Sequence, residues 1–349
     1  MKSFKTIFCV LLSVLVFASM FGCTVVKEKQ EEKKTVTDLG GNTVDIPLGE
    51  IYATANSGWI TSQVVMLAGA ERIKIAPASF ESGHTDRFAE LFTGTDDIKL
   101  TDGDKVSAEE MLAAGVNVFF ASNQAEADTY TNAGLVSIVM NYDTTENLAR
   151  SFVLIGEIFG GEALVRGRKI SDSIINAEKT AKANAEKNTS TPTVYCIAAT
   201  TQTTPYQTQG EETFANKLFA MCGAKQITSG KGMYVNVNAE LLMQSNPDYI
   251  VIDGYLAEQA YTELVNDPVL KNLTAVKENK IIYSPIGILR PCLRPGAETS
   301  IGILWLSEMF AQNATQDIDI VNYSIDLYKD IFGWEISETE VKKMLFIKD

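Results

Sequence analysis

Two arginines held between prolines, in Arg290-Pro291-Cys292-Leu293-Arg294-Pro295-Gly296, are the residues whose types and spacing point most directly to a chemistry. A planar guanidinium pairs with carboxylate, hydroxamate or catecholate oxygens in a fixed geometry. The flanking prolines lower the entropy lost when such a loop is ordered. The alternative is that Arg290 and Arg294 make structural pairs with Asp or Glu elsewhere. Trp59, Phe80, Tyr206 and Tyr255 follow apolar runs and offer walls, stacking and cation–π contacts, and Asn123 adds a polar group. That set suits a bulky anionic ligand better than a sugar or an amino acid.

Enzyme chemistries fail on inventory. His84 is the one histidine, so a Ser-His-acid triad or an axial imidazole for haem would have to use it. A cluster of histidines for bare metal ions does not exist. No Gly-x-Ser-x-Gly elbow and no Gly-x-Gly-x-x-Gly after a strand occur. Gly223 to Lys231 has the wrong glycine spacing for a phosphate loop and lacks the Ser or Thr that would meet magnesium. Cys196, Cys222 and Cys292 show no Cys-x-x-Cys spacing and read as small buried thiols. The chain is therefore read as a non-enzyme with no cofactor.

Composition narrows the class further. The 349 residues are 46% hydrophobic and 21% charged, enough to bury sizeable cores. The net charge of -14 lacks the basic excess that nucleic-acid binding requires. Lys2 and Lys5 precede an apolar run from Ile7 to Phe21, the order of a secretion signal and shorter than a membrane span. Thr24 to Lys34 is charge-dense and reads as a solvated tether. Cys23, directly after Gly22, resembles the acylated cysteine of a bacterial lipoprotein signal, with departures at Met20 and Phe21. That resemblance implies residues 1–22 as signal peptide, 23–34 as tether, and a lipid on Cys23 holding the chain at the cell membrane.

A divergent duplication organises the rest. Ala108-Glu109-Glu110-Met111-Leu112 with Val116–Phe120 parallels Ala239-Glu240-Leu241-Leu242-Met243 with Pro247–Val251, 131 residues on. Leu67–Ile73 echoes Met221–Ile227, each a helix ending at a Gly suited to a left-handed cap and leading to a strand. Two echoes in one order predict two similar α/β lobes. First-lobe strands are expected at Ile51–Asn56, Ile73–Pro77, Val116–Ala121 and Val136–Asn141. The second lobe should use Thr193–Ala199, a piece near Gln226, Asp248–Asp253 and Lys280–Ser284. Between them, Ile170, Ile174, Ala177 and Ala181 form one stripe on a helix predicted over Glu162–Lys187. The expected divisions are 35–160, 161–188 and 189–349. A single stiff helix between Rossmann-like lobes predicts a largely pre-formed cleft, with ligand loops beyond the carboxyl ends of the strands.

With these elements, the chain resembles the rigid-helix substrate-binding lipoproteins of ABC importers that deliver ferric siderophores, haem or cobalamin. The resemblance rests on Thr35–Pro47, Leu67–Ile73, the two Ala-Glu helices and Gly302-Ile303-Leu304-Trp305-Leu306, in that order over roughly residues 35 to 345. It implies a monomer that hands a metal chelate, a ferric siderophore first, to a permease dimer with ATPase subunits. It also implies that Glu109 and Glu240 dock on permease arginines, against the alternative of solvated Glu residues favourable to a helix dipole. Corrinoid, haem or oxyanion binding, a sensor module and a hydrolase stand as the other readings.

Overall fold

The computed structural model describes residues 34–82, 85–199, 206–312 and 318–347. Cys23, His84, the leader and nearly all of the tether lie outside the described residues. Eleven strands are described, in chain order: β1 Lys34–Thr37, β2 Thr43–Ile46, β3 Ala53–Ala55, β4 Ile75–Ala76, β5 Lys99–Leu100, β6 Val118–Ala121, β7 Val136–Val139, β8 Thr193–Ile197, β9 Lys225–Gln226, β10 Tyr249–Ile252 and β11 Ile281–Tyr283. β1 and β2 form a small two-stranded sheet over the Thr35–Pro47 opening. The other pairings described in register, in both halves, are parallel.

The two main sheets confirm the duplication. One runs β7-β6-β3, with the β4-β5 pair a separate short sheet; the other runs β11-β10-β8-β9. Strands β6 and β10 lie 131 residues apart, the same interval as the helices before them, Ala108–Ala113 and Ala239–Ser245. β6 (Val-Phe-Phe-Ala) is buried throughout, as expected for a strand covered on both faces. The Gly predicted to end each upstream helix takes a positive φ, 98° at Gly69 and 85° at Gly223. After Gly69 a 3-10 turn over Ala70–Arg72 delays β4, whereas β9 starts two residues after Gly223. The strands are shorter than the apolar runs that foretold them, because pairing stops where the chain turns into the loops at their ends.

The inter-lobe helix spans Gly161–Ala185, 25 residues, and so about 37 Å long. Ile170, Ile174, Ala177 and Ala181 are all buried on it, as the stripe required. A preceding helix, Thr145–Phe159, was not expected from the sequence; it folds back on the inter-lobe helix through Gly160 and Gly161, at φ 75° and 50°. The two helices touch backbone to backbone. A Cβ on Gly167 would stand 2.3 Å from the Phe152 carbonyl oxygen. Gly167→Val should therefore cost about 3 kcal/mol or more, and a thermal melt of the variant checks this.

The chain crosses between the sheets once, through this helix. The C-terminal helices nevertheless reach both halves. Asn184 Nδ2 donates to Ser307 Oγ at 3.2 Å, joining the inter-lobe helix to the Thr299–Phe310 helix. Phe332, at the end of the Ile320–Phe332 helix, meets Phe92 edge-on, and Arg87 stacks over Trp334 at 4.9 Å. The rod is thus braced by packing that no local pattern in the sequence announces.

Candidate ligand-binding cleft

A cleft of about 410 Å³ opens where the carboxyl ends of both sheets meet. Ser57 and Trp59 come from the cap and first turn of the Gly58–Ala68 helix after β3, Ser122 from after β6, and Met140 to Asp143 from after β7. The other wall is Gln209 with Glu212 to Phe214, after β8, Gly232 and Met233 after β9, and Leu293 to Pro295 after β11. A larger groove of about 600 Å³ between the Gly161–Ala185 and Ile320–Phe332 helices is lined by no residue of these loops. The strand-end cleft is the candidate site.

Arg294 is the only basic side chain among the lining residues described. Its guanidinium donates to the Tyr234 hydroxyl and to Met233 Sδ at 3.1 Å, and stacks 5.6 Å from the Tyr234 ring. No ion pair of the described residues involves it. The two carboxylates of the cleft are already engaged: Asp143 lies 3.7 Å from Lys217, and Glu212 pairs with Lys231. Tyr142 faces Ser57. Burial pushes its phenol up to about 12, against the opposing pull of the Ser57 hydrogen bond and the Arg294 charge. The site therefore offers a fixed cation, neutral hydroxyl donors and the apolar surfaces of Trp59, Phe214, Met233 and Leu293.

Of the seven residues expected to touch ligand, Trp59 and Arg294 line this cleft and five do not. Phe80 is 2% exposed and packs edge-on against Phe88 in the core. Asn123 caps the Gln124–Asn132 helix by accepting from Glu126 N at 3.0 Å. Tyr206 is buried, and its carbonyl accepts from the Tyr195 hydroxyl. Arg290 takes the structural alternative: Nη1 sits 3.0 Å from Asp253 Oδ2, with the guanidinium 4.5 Å from the Tyr255 ring. That stack occupies one face of the exposed Tyr255. Tyr142, Asp143 and Met233 were missed. Applying the strand-end rule to β7 as well would have found the first two.

The loop carrying Arg294 is fastened from both halves. Thr85 Oγ1 donates to Ile288 O at 2.7 Å, the Trp59 indole donates to Pro295 O, and Ala297 N donates to Gln63 Oε1 at 3.2 Å. From the other half, Gln209 Nε2 donates to Leu293 O at 3.2 Å. The buried Glu298 carboxylate accepts from Ile288 N at 2.8 Å, Leu289 N at 2.6 Å and the Tyr328 hydroxyl. Burial raises its pKa despite these donors. Arg294 is consequently held on a loop that both lobes grip, which pre-forms the site.

Glu109 and Glu240 are exposed, each the second residue of its helix, one in each half at matching places of the repeat. Ser107 and Asn238 cap the two helices. Cys196, Cys222 and Cys292 are free and buried. Among the described residues no helix is long and apolar enough to cross a membrane, and no His/Cys/Asp/Glu group is arranged to hold a metal ion.

Twin parallel lobes, one connecting helix and a cleft at facing strand ends define a bilobal solute receptor. Residues 59–285 match the family model described as periplasmic binding protein, and the chain belongs to that family. Its members are solute-binding proteins outside the cytoplasm that work with ABC permeases and their ATPases. No curated protein shows a significant match. Among solved structures, a periplasmic solute-binding protein from Veillonella parvula is 19% identical, covering 90% of this chain and 97% of its own, with a TM-score of 0.75. An ABC transporter solute-binding protein from Sulfurospirillum deleyianum is 14% identical over 90% and 99%, at 0.74. The molybdate-binding protein MolA of a Haemophilus influenzae ABC transporter is 16% identical over 87% and 99%, at 0.71. At these identities the likeness speaks for the fold.

Proposed function

We propose that the protein captures a bulky metal chelate with an anionic oxygen face, a ferric siderophore, and delivers it to an ABC permease. The observation that carries this reading is the guanidinium of Arg294, free of any carboxylate pair among the described residues, in a cleft of about 410 Å³. Such a volume falls in the range of drug-sized ligands, about 300–1,000 Å³, and is generous for a four-oxygen anion. Apolar surface from Trp59, Phe214 and Leu293 would cover the organic shell. Arg294, Ser57 and Tyr142 would meet its oxygens. The relative that binds molybdate keeps an oxyanion as the competing cargo. Cys23, by its likeness to a lipoprotein signal, would anchor the monomer at the membrane, and Glu109 and Glu240 would dock it.

Trp59 reports on the cleft directly, so tryptophan quenching is the test. Titration with a ferric trihydroxamate, a ferric catecholate, haem, cobalamin and molybdate should give sub-micromolar quenching by a ferric chelate, lost in Trp59→Phe. Tight binding of molybdate alone would reverse the ranking. Arg294→Ala should weaken the bound chelate by about 10- to 100-fold, the value of a hydrogen bond to a charged group. Because the Tyr142 phenol is raised to about 12, it stays protonated at neutral pH and adds no pH dependence between about pH 6 and 9.

A further inference from the structure

Both helices assigned to docking are tied to the cleft by the same kind of strut. In the first half, Asn56 stands between β3 and the cleft residue Ser57. Its Oδ1 accepts from Val106 N at 2.9 Å, and its Nδ2 donates to the Tyr130 hydroxyl at 2.8 Å and to Glu126 Oε1 at 2.9 Å. The Tyr130 hydroxyl in turn donates to Val106 O at 2.8 Å. Val106 is thus gripped at both its backbone groups, and the next residue, Ser107, caps the helix that carries Glu109.

The second half repeats the arrangement with different residues. Gln207 and Thr208 stand just before the cleft residue Gln209. Thr208 and Val235 exchange backbone hydrogen bonds at 3.0 and 2.8 Å, and Gln207 Nε2 donates to Asn236 Oδ1 at 3.0 Å. Two residues on, Asn238 caps the helix that carries Glu240 by accepting from Leu241 N at 2.7 Å. In each half, then, a residue one or two positions before a cleft contact grips the segment that leads to the docking helix.

We infer that Asn56 and Gln207 are positioning residues that couple the cleft to the Glu109 and Glu240 helices, so that a filled cleft steadies both. This rests on the docking assignment proposed above and adds its regulation: the permease would meet stiffer acidic pegs on a loaded protein than on an empty one. Ligand pressing on Ser57 and Trp59, or on Gln209, reduces the freedom of the adjoining strut, and the cap of each helix opens less often.

The test needs neither the natural cargo nor the permease. In the full chain, Met233→Cys in the second half is labelled with an aromatic maleimide, which fills the cleft; wild type treated with the same reagent is the control. Hydrogen exchange is then read across the cleft, at Met111 and Ala114, whose amides close the Glu109 helix onto Ser107 and Glu110. Labelling should slow these amides by about threefold or more. Asn56→Ala should erase that ratio, and so should Asn56→Asp, which keeps the acceptor for Val106 but sets a carboxylate against Glu126. The mirror experiment labels Ser122→Cys and reads Leu242 and Asn246, with Gln207→Ala erasing the effect. Equal exchange with and without label overturns the coupling. So does an Asn56→Ala chain that exchanges faster but keeps the label's ratio, since that is a merely structural role. Neither result touches the docking assignment, which is tested separately by charge reversal.

Discussion

Reversing the charge at Glu109 and Glu240 together, as Glu109→Lys with Glu240→Lys, should reduce uptake of the cargo to background. Affinity of the purified protein for the same cargo should stay within about twofold. Both side chains are exposed in the first turn of their helices, so the substitution removes little packing. Lysine there disfavours the helix dipole by about 0.3–1 kcal/mol, too little to unfold the chain. Placed against a basic partner, by contrast, like charge costs several kcal/mol, which is more than 100-fold in docking at each end. Single reversals should fall between. Uptake assays on cells beside fluorescence titration of the same variants separate the two effects, and unchanged uptake in the double variant removes these residues from docking.

Arg290→Ala should destabilise the fold by about 3 kcal/mol, because it strands the buried Asp253 carboxylate that it now pairs at 3.0 Å. The direction with pH is diagnostic. Burial already raises the Asp253 pKa, with the Arg290 charge the largest opposing influence. Removing that charge raises it further. A carboxyl whose folded pKa is above its unfolded one favours folding at low pH and loses that favour as pH rises through the folded value. The deficit of the variant should therefore be full at neutral pH and shrink as the solution is acidified toward the ordinary carboxylate range. Urea melts at pH 7 and pH 5 measure it. Arg294→Ala, with no buried carboxylate to strand, should show little deficit at either pH while losing ligand. Two arginines four residues apart thus differ in structure: Arg290 pairs with a buried acid, and Arg294 faces the cleft.

That separation marks the reach of sequence reasoning here. The Arg-Pro pattern pointed to a loop that lines the strand-end cleft, with Arg294 in it and Trp59 opposite it. Nothing local distinguishes Arg290 from Arg294, because the difference is made by Asp253, 37 residues away at the end of β10. Phe80 and Tyr206 failed for a related reason. An aromatic residue just past a strand can turn outward to ligand or inward to core, and the Phe88 ring and the apolar cluster around Val237 and Leu264 decided for the core. The strand-end rule, applied to every strand, reaches Tyr142 and Asp143. It does not reach Met233, which a glycine-rich segment brings to Arg294.

What the amino-acid order determined alone is the repeat, the strands of the two main sheets (though not β1, β2 or β5), the buried stripe of the long helix and the place of the cleft. These follow from short-range periodicity, turn chemistry and the geometry of parallel sheets, which are read within a few residues or by comparing two copies. Tertiary structure alone decided which arginine is spent on a buried acid and which faces the cleft. It also decided how the loop from Ile286 to Gly296 is gripped from both lobes, and how the Glu109 and Glu240 helices are each strapped to the cleft. Those outcomes depend on partners up to 236 residues distant, and on whether burial leaves a polar group a partner, which the chain specifies only once it has folded.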